Sequence, residues 1–128
     1  MRAVVDTNVL IDFLQGVAAA AEELERYDAV EVSVISLAEL LVGASDETAS
    51  ASAHAVAERA VDALIGACEV VPVDEAIARE AAFLRRAARV RFPGALIWAT
   101  ARTRGSLLVT RDEGFPTDAP EVRHPYQR

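Results

Sequence analysis

The sequence predicts an α/β fold, in the form of a three-layer α/β/α sandwich around a mainly parallel central sheet. Short apolar or β-branched runs ("RAVVD", "AVEVSVI", "EVVPV", "SLLVT") are separated by stretches with helical spacing. That alternation is what parallel sheets require, and the apolar strand cores suit strands covered on both faces. The length of 128 residues and 52% hydrophobic content fit one domain, residues 1–128, with a core that needs no staples.

Val4-Val5 forms a short buried strand that ends at Asp6. In "TNVLIDFLQG", Val9, Leu10, Phe13 and Leu14 recur at helical spacing, and Gly16 stops the helix. "VAAAAEELERYD" continues as a second helix. Ala29 to Ile35 alternates and is β-branched, which predicts a strand. "SLAELLVGAS" predicts a helix with Ser36 as N-cap and Gly43 near its end. From Thr48 to about Gly66, Ala53, Val56, Ala57, Ala60, Val61, Leu64 and Ile65 form one apolar stripe of a long helix. "EVVPV" is a strand that Pro72 pushes toward a sheet edge. Asp74 caps a helix reaching about Arg89, and Pro93 opens another that ends by Gly105. "SLLVT" is a strand, "RDEGF" a turn or short helix, and Glu121-Val122-Arg123 a last edge strand. The tail "HPYQR" is expected to be mobile.

A net charge of −7 argues against binding duplex DNA through global charge, while leaving room for nucleic acid held by metal ions and a local basic patch. Every basic residue is an arginine, so any mechanism that needs a lysine is excluded. Cys68 is the single cysteine, and no intrachain disulfide can form. The opening residues carry no export signal, and no apolar run is long enough to span a bilayer; a cytoplasmic protein without membrane contact is expected.

Three acids stand just past apolar strands: Asp6, Glu39 and Asp112. In parallel α/β sheets, ligands gather beyond the carboxyl ends of the strands, so these residues can converge at one rim. Converging carboxylates repel one another unless a cation neutralises them. Hard oxygen donors suit Mg²⁺, with Mn²⁺ as a substitute, and the chain offers no Cys/His cluster for zinc. Each acid also has a structural reading. Ser36 and Glu39 fit a capping box, Thr110 and Glu113 fit another, and Asp6 can cap the first helix. Capping and metal binding are compatible, because a cap locks the backbone that presents the acid.

Other chemistries find less support. No Gly-rich phosphate loop follows a strand, and no Ser/His/Asp set sits on a nucleophile elbow. His54 and His124 read as structural or exposed residues, Cys68 as a small core residue and Trp98 as helix packing. The arginines of "RRAARVR", with Arg102 and Arg104 nearby, form one local basic cluster. It reads as a solvated helix end, or as a contact for RNA phosphates or an acidic partner.

The ordered set "VVDTNVLIDFL", "VSVISLAELLVG", "FPGALIWATA" and "LLVTRDEGF" resembles a PIN domain, specifically a bacterial VapC-type toxin, over essentially the whole chain. The resemblance implies a Mg²⁺-dependent endoribonuclease that leaves a 5′-phosphate and a 3′-hydroxyl. It also implies an RNA substrate, a cognate antitoxin protein that silences the acidic site, and a homodimer. Asp6, Glu39 and Asp112 match three family acids, and Asn8 and Thr110 match supporting polar positions. The fourth family acid belongs where this chain has Gly94. Impaired catalysis is therefore expected, with a non-catalytic antitoxin-binding or interaction module as the alternative. Glu113 and Asp12 are the spare acids nearest in sequence to the motif. Haloacid-dehalogenase-type phosphatases share the opening Asp but need a second Asp where this chain has Asn8, and a lysine; response-regulator receivers also need a lysine, and this chain has none.

Overall fold

The computed structural model describes residues 1–44 and 48–128. The five strands among these residues are β1 (Arg2–Val5), β2 (Ala29–Ser33), β3 (Glu69–Val71), β4 (Leu107–Val109) and β5 (Val122–Arg123). All pair in parallel, in the order β3-β2-β1-β4-β5. Val4 faces Glu31 on one side and Leu108 on the other, which places β1 at the centre. The chain builds outward from β1 through β2 to β3, then returns to β1's other side as β4. The sheet thus reverses direction between β1 and β4, the kind of crossover where α/β sheets open a crevice.

Among the described residues, six helices cover the sheet: α1 (Thr7–Leu14), α2 (Ala18–Glu25), α3 (Val34–Ala44), α4 (Ala51–Gly66), α5 (Glu75–Ala87) and α6 (Gly94–Arg104). The strands send successive side chains to opposite faces. Ala3, Val5, Val32 and Val109 meet Val9, Leu10, Ala20, Leu40, Val61 and Leu64 from α1 to α4. Val4, Val71, Leu108 and Val122 meet Ile77, Ala81, Leu84, Ile97 and Trp98 from α5 and α6. Trp98 packs edge-on against Phe115, with ring centroids 6.0 Å apart, an arrangement favoured by aromatic quadrupoles. This is the expected three-layer sandwich.

Several local expectations hold for the expected reasons. The Asp74 carboxylate accepts from the Ile77 amide at 2.9 Å and starts α5. Gly105 closes α6 in the left-handed region, φ 66°, where glycine has no Cβ penalty. β3, the strand before Pro72, lies at the sheet edge.

Others need correction. β2 ends at Ser33 rather than Ile35, and α3 starts at Val34. Ser33 Oγ accepts from the Ile35 amide at 3.1 Å, so the helix starts ahead of Ser36, which lies inside it. The Ser36/Glu39 capping box therefore does not form. No helix follows β4, so Thr110 and Glu113 form no box either. The long fourth helix starts at Ala51, where Ser50 caps it by accepting from the Ala53 amide at 3.2 Å, and not at Thr48. Pro93 is the N-cap of α6, and Gly94 its first residue. The tail is anchored: Tyr126 Oη donates to Asp12 Oδ2 at 2.8 Å, and Arg128 Nη1 donates to Asp12 Oδ1 at 2.6 Å. Asp12 is on α1, over a hundred residues away, which no local pattern reveals.

Asp12 belongs to a set of buried acids held by arginines. It also pairs with Arg111, Glu23 pairs with Arg123 and Arg26, and Glu31 pairs with Arg2 and Arg104. Burial alone would raise the Asp12 carboxyl. Hydrogen bonds from Tyr126 and Arg128 and the charge of Arg111 outweigh it and hold it below the usual carboxylate range. For Glu23 and Glu31 too, burial is outweighed by hydrogen bonds, from Arg123 and Tyr27 and from Ser106, Arg104 and Arg2 respectively, and both are lowered. Carboxyls lowered in the fold stabilise it above their unfolded values, and that contribution is lost as pH falls through the lowered values. We expect Asp12→Asn to cost about 2–3 kcal/mol in urea unfolding at neutral pH, the low end for a broken buried pair because Arg111 and Arg128 keep some water. The difference from the parent should shrink in acid, below about pH 4. A cost that does not depend on pH would show that the arginines are not its source.

Candidate active site

A cleft of about 610 Å³ opens at the carboxyl ends of the strands, lined by Asp6, Thr7, Asn8, Glu39, Asp112 and Gly94 among others. The topology brings them there. Asp6 is the residue after β1, Glu39 lies on α3 behind β2, and Asp112 follows β4. β1 and β4 are the neighbours between which the sheet reverses, so Asp6 and Asp112 flank the crossover directly.

Asp6 is buried, with 7% of its surface exposed. As N-cap of α1, its Oδ1 accepts from the Thr7 amide at 2.7 Å. Its Oδ2 accepts from the Thr110 hydroxyl at 2.7 Å and the Asn8 amide at 3.3 Å. Thr110 Oγ1 also accepts from the Asp112 backbone N–H at 3.0 Å, and Asn8 Oδ1 accepts from that of Arg111 at 3.1 Å. Asn8 and Thr110 thereby stitch α1 to the segment that carries Asp112. Asp112 itself turns back to accept from the Gly114 amide at 2.8 Å, and both it and Glu39 are exposed at the cleft wall.

Two positions absent from the sequence-based set take part in this network. The Thr7 hydroxyl donates to Glu39 Oε1 at 2.6 Å and lies 2.9 Å from Ser36 Oγ. Ser36 precedes Glu39 by three residues and so shares its helix face, a signal that the capping-box reading absorbed. His124 is a third: its Nε2 lies 3.1 Å from the Asp112 carbonyl oxygen, in reach of a hydrogen bond that steadies the segment.

Asp6 differs from the other buried carboxylates in having no cationic partner among the described residues. Burial pushes its carboxyl above the usual range. The bonds from Thr110 and Thr7 oppose the rise, and the charges of Glu39 and Asp112 add to it. Among the described residues no group of three or more acids, histidines or cysteines is placed to hold a metal ion. Mg²⁺ binds through one or two carboxylates and keeps several waters, so Asp6 with Glu39 or Asp112 could hold it without such a group. Asp12 and Glu113 do not line the cleft, and Asp12 is committed to its arginines and Tyr126.

Gly94 lines the cleft at the start of α6. A Cβ there would lie 3.0 Å from Phe115 Cζ and 3.5 Å from Val90 Cγ1. An acidic side chain would thus require the Phe115 ring to give way by a few tenths of an ångström.

A carboxyl raised by the fold works against stability when ionised, and that penalty is relieved as pH falls through its raised value toward the unfolded one. We expect Asp6→Asn to melt roughly 2–5 °C above the parent at neutral pH, with the gap closing in acid. A variant that melts lower at neutral pH would mean that the bonds from Thr7, Asn8 and Thr110 outweigh the burial cost.

The PIN domain profile matches residues 3–117 of this chain. Among solved structures, the chain is similar to a toxin–antitoxin complex from Klebsiella pneumoniae, at 28% identity over 98% of this chain and 99% of that one, with a TM-score of 0.86. It is similar to the DNA-bound VapBC from Salmonella typhimurium, at 25% identity over 96% of each chain, with a TM-score of 0.77. VapBC-5 from Mycobacterium tuberculosis, a member of the VapBC family of toxin–antitoxin systems, is 29% identical over 95% of each chain, with a TM-score of 0.72. No curated protein sequence matches the chain. The match over most of its length, the parallel sheet and the structural likeness together show that this chain belongs to the PIN domain family, with the VapC-type toxins among its structural relatives.

Proposed function

We propose that this chain is a metal-dependent endoribonuclease, the toxin component of a toxin–antitoxin pair, and that Gly94 reduces its catalytic capacity. The observation that carries the reading is the cleft at the crossover, where Asp6, Glu39 and Asp112 gather with no protein cation to balance the buried carboxylate of Asp6. Membership of the PIN family and likeness to toxin–antitoxin proteins support it. Asp6 and Asp112, with Glu39, would hold Mg²⁺ or Mn²⁺. A divalent ion supplies charge stabilisation at a phosphate and lowers the pKa of a bound water. Thr110 and Asn8 fix the Asp6 carboxylate and the Asp112 backbone, and Thr7 orients Glu39. A carboxylate of this set, exposed at the rim, can accept a proton from a water aligned with the scissile phosphodiester. A cognate antitoxin and a second copy of the chain are the proposed protein partners, and the cytoplasm the proposed setting. Among the described residues, no helix is long and apolar enough to cross a membrane.

A second reading rests on Phe115. A Cβ at position 94 would meet its ring edge at 3.0 Å, so the cleft wall fits glycine more closely than an acid. That packing favours a non-catalytic module that binds an antitoxin. The Gly94→Asp reversion separates the two. We expect it to raise Mg²⁺-dependent cleavage of RNA at least about 10-fold, the scale on which losing a metal's supporting groups is felt. It should also cost about 1–2 kcal/mol of stability through crowding at Phe115, relieved by a companion Phe115→Leu. No cleavage by either variant across RNAs of varied sequence would count against the nuclease and for the binding module.

A further inference from the structure

We infer that residues 89–92 grip a single-stranded stretch of RNA at the mouth of the cleft, with Arg89 and Arg91 on its phosphates and Phe92 on a base. The inference rests on the ribonuclease reading and assigns its substrate-binding element.

The first observation is an imbalance among the cations. All thirteen basic residues are arginines, in a chain with net charge −7. Eight of them are ion-paired: Arg2, Arg26, Arg79, Arg102, Arg104, Arg111, Arg123 and Arg128. Among the described residues, the five without a carboxylate partner are Arg59 and the run Arg85, Arg86, Arg89 and Arg91. The cluster read from sequence therefore splits. Arg102 and Arg104 are tied to Glu80, Glu121, Glu31 and Glu69. Arg85 and Arg86 occupy the last turn of α5, where a cation favours the helix dipole. Arg89 and Arg91 lie beyond that helix and line the acid-bearing cleft.

The second observation is how the backbone presents them. Val90, between the two arginines, is buried in the core, while Arg89, Arg91 and Phe92 are exposed. The buried valine anchors the segment and leaves its neighbours at the surface. Arg89 is the one non-glycine residue with positive φ among those described, at 59°. Glycine takes that conformation without penalty, so the chain keeps a guanidinium where the backbone alone would prefer none. Phe92 then places an aromatic ring, 53% exposed, on the cleft lining beside Arg91.

A cleft walled by carboxylates repels a polyanion, and a nearby pair of free guanidinium groups offsets that repulsion at the site itself. An exposed ring next to them can stack only on a base that is not paired, which selects a single strand.

The test is a fluorescence-anisotropy titration of the full chain with a labelled mixed-sequence RNA of about 15 nucleotides, in EDTA so that nothing is cleaved. We expect Arg89→Ala with Arg91→Ala to weaken binding at least about 10-fold, and to make the plot of log affinity against log salt shallower by about 1.4, the share of two phosphate contacts on a single strand. Arg89→Gly, which keeps the turn, should bind RNA more weakly while melting at or above the parent temperature. Phe92→Ala should weaken the single strand about 5-fold and leave a duplex of the same sequence unchanged. Arg59→Ala, one cation removed from α4, should stay within about twofold of the parent.

The inference is overturned if the double variant binds like the parent with the same salt slope, or if the parent does not bind RNA at all. A poly-glutamate peptide whose binding is lost in the double variant, with RNA binding intact, would also overturn it and assign the patch to an acidic protein segment. Because no divalent ion takes part, failure here leaves the cleavage test of Gly94→Asp standing. Conversely, a Gly94→Asp protein that fails to cut RNA refutes the nuclease without touching a measured RNA affinity.

Discussion

A buried negative charge has to be compensated, and this fold does so in two ways. Asp12, Glu23 and Glu31 lie in the protein interior with guanidinium groups against them. Asp6 is buried at the end of the central strand with only two amides and a hydroxyl. The first kind ties the molecule together: Asp12 joins α1 to the β4 exit and to the chain's end, and Glu31 joins three strands' neighbouring segments through Arg2, Arg104 and Ser106. The second kind leaves an electrostatic demand at the one place where the sheet reverses and opens a cleft. Glu39 and Asp112 on the same rim increase that demand. In this account a divalent ion meets it, and the acids are kept together at a cost to the protein that holds no ion.

Gly94 changes the balance. A position without a carboxylate adds no repulsion around Asp6, and Phe115 packs on Trp98 close to Gly94. On the proposed reading, the glycine that leaves an ion site one donor short also suits the fold without an ion. Thr7, Asn8 and Thr110 still hold Asp6, Glu39 and the Asp112 backbone in one network. On that reading the site is one donor short and its scaffold is in place.

The elements were legible where the signal is local. Continuous apolar runs gave the strands, Asp74 and Gly105 marked helix ends, and Pro72 marked the edge strand. The three acids were legible because each lies within about one or two turns past a strand and parallel strands share one carboxyl end. What was hidden depends on contacts distant in the chain. Strand order follows from which helix covers which face, and no residue states it. The tail read as mobile because its anchor, Asp12, sits at the other end of the sequence. Ser36 read as a cap because it precedes Glu39 by three residues, yet Ser33 lies two residues before the amide it binds and capped the helix first. The arginine cluster read as one patch, and only the positions of Glu31, Glu69, Glu80 and Glu121 divide it into structural and free halves.

The central claim is that the carboxylates of the crossover cleft, with Asp6 at their base, form a site for a hard divalent cation. Calorimetric titration of Mn²⁺ into the chain without RNA tests it most directly, with Asp6→Asn and Asp12→Asn alongside. The account predicts one site per chain that weakens at least about 10-fold in Asp6→Asn and is unchanged in Asp12→Asn. Equal binding by parent and Asp6→Asn, or loss of binding in Asp12→Asn alone, would contradict it.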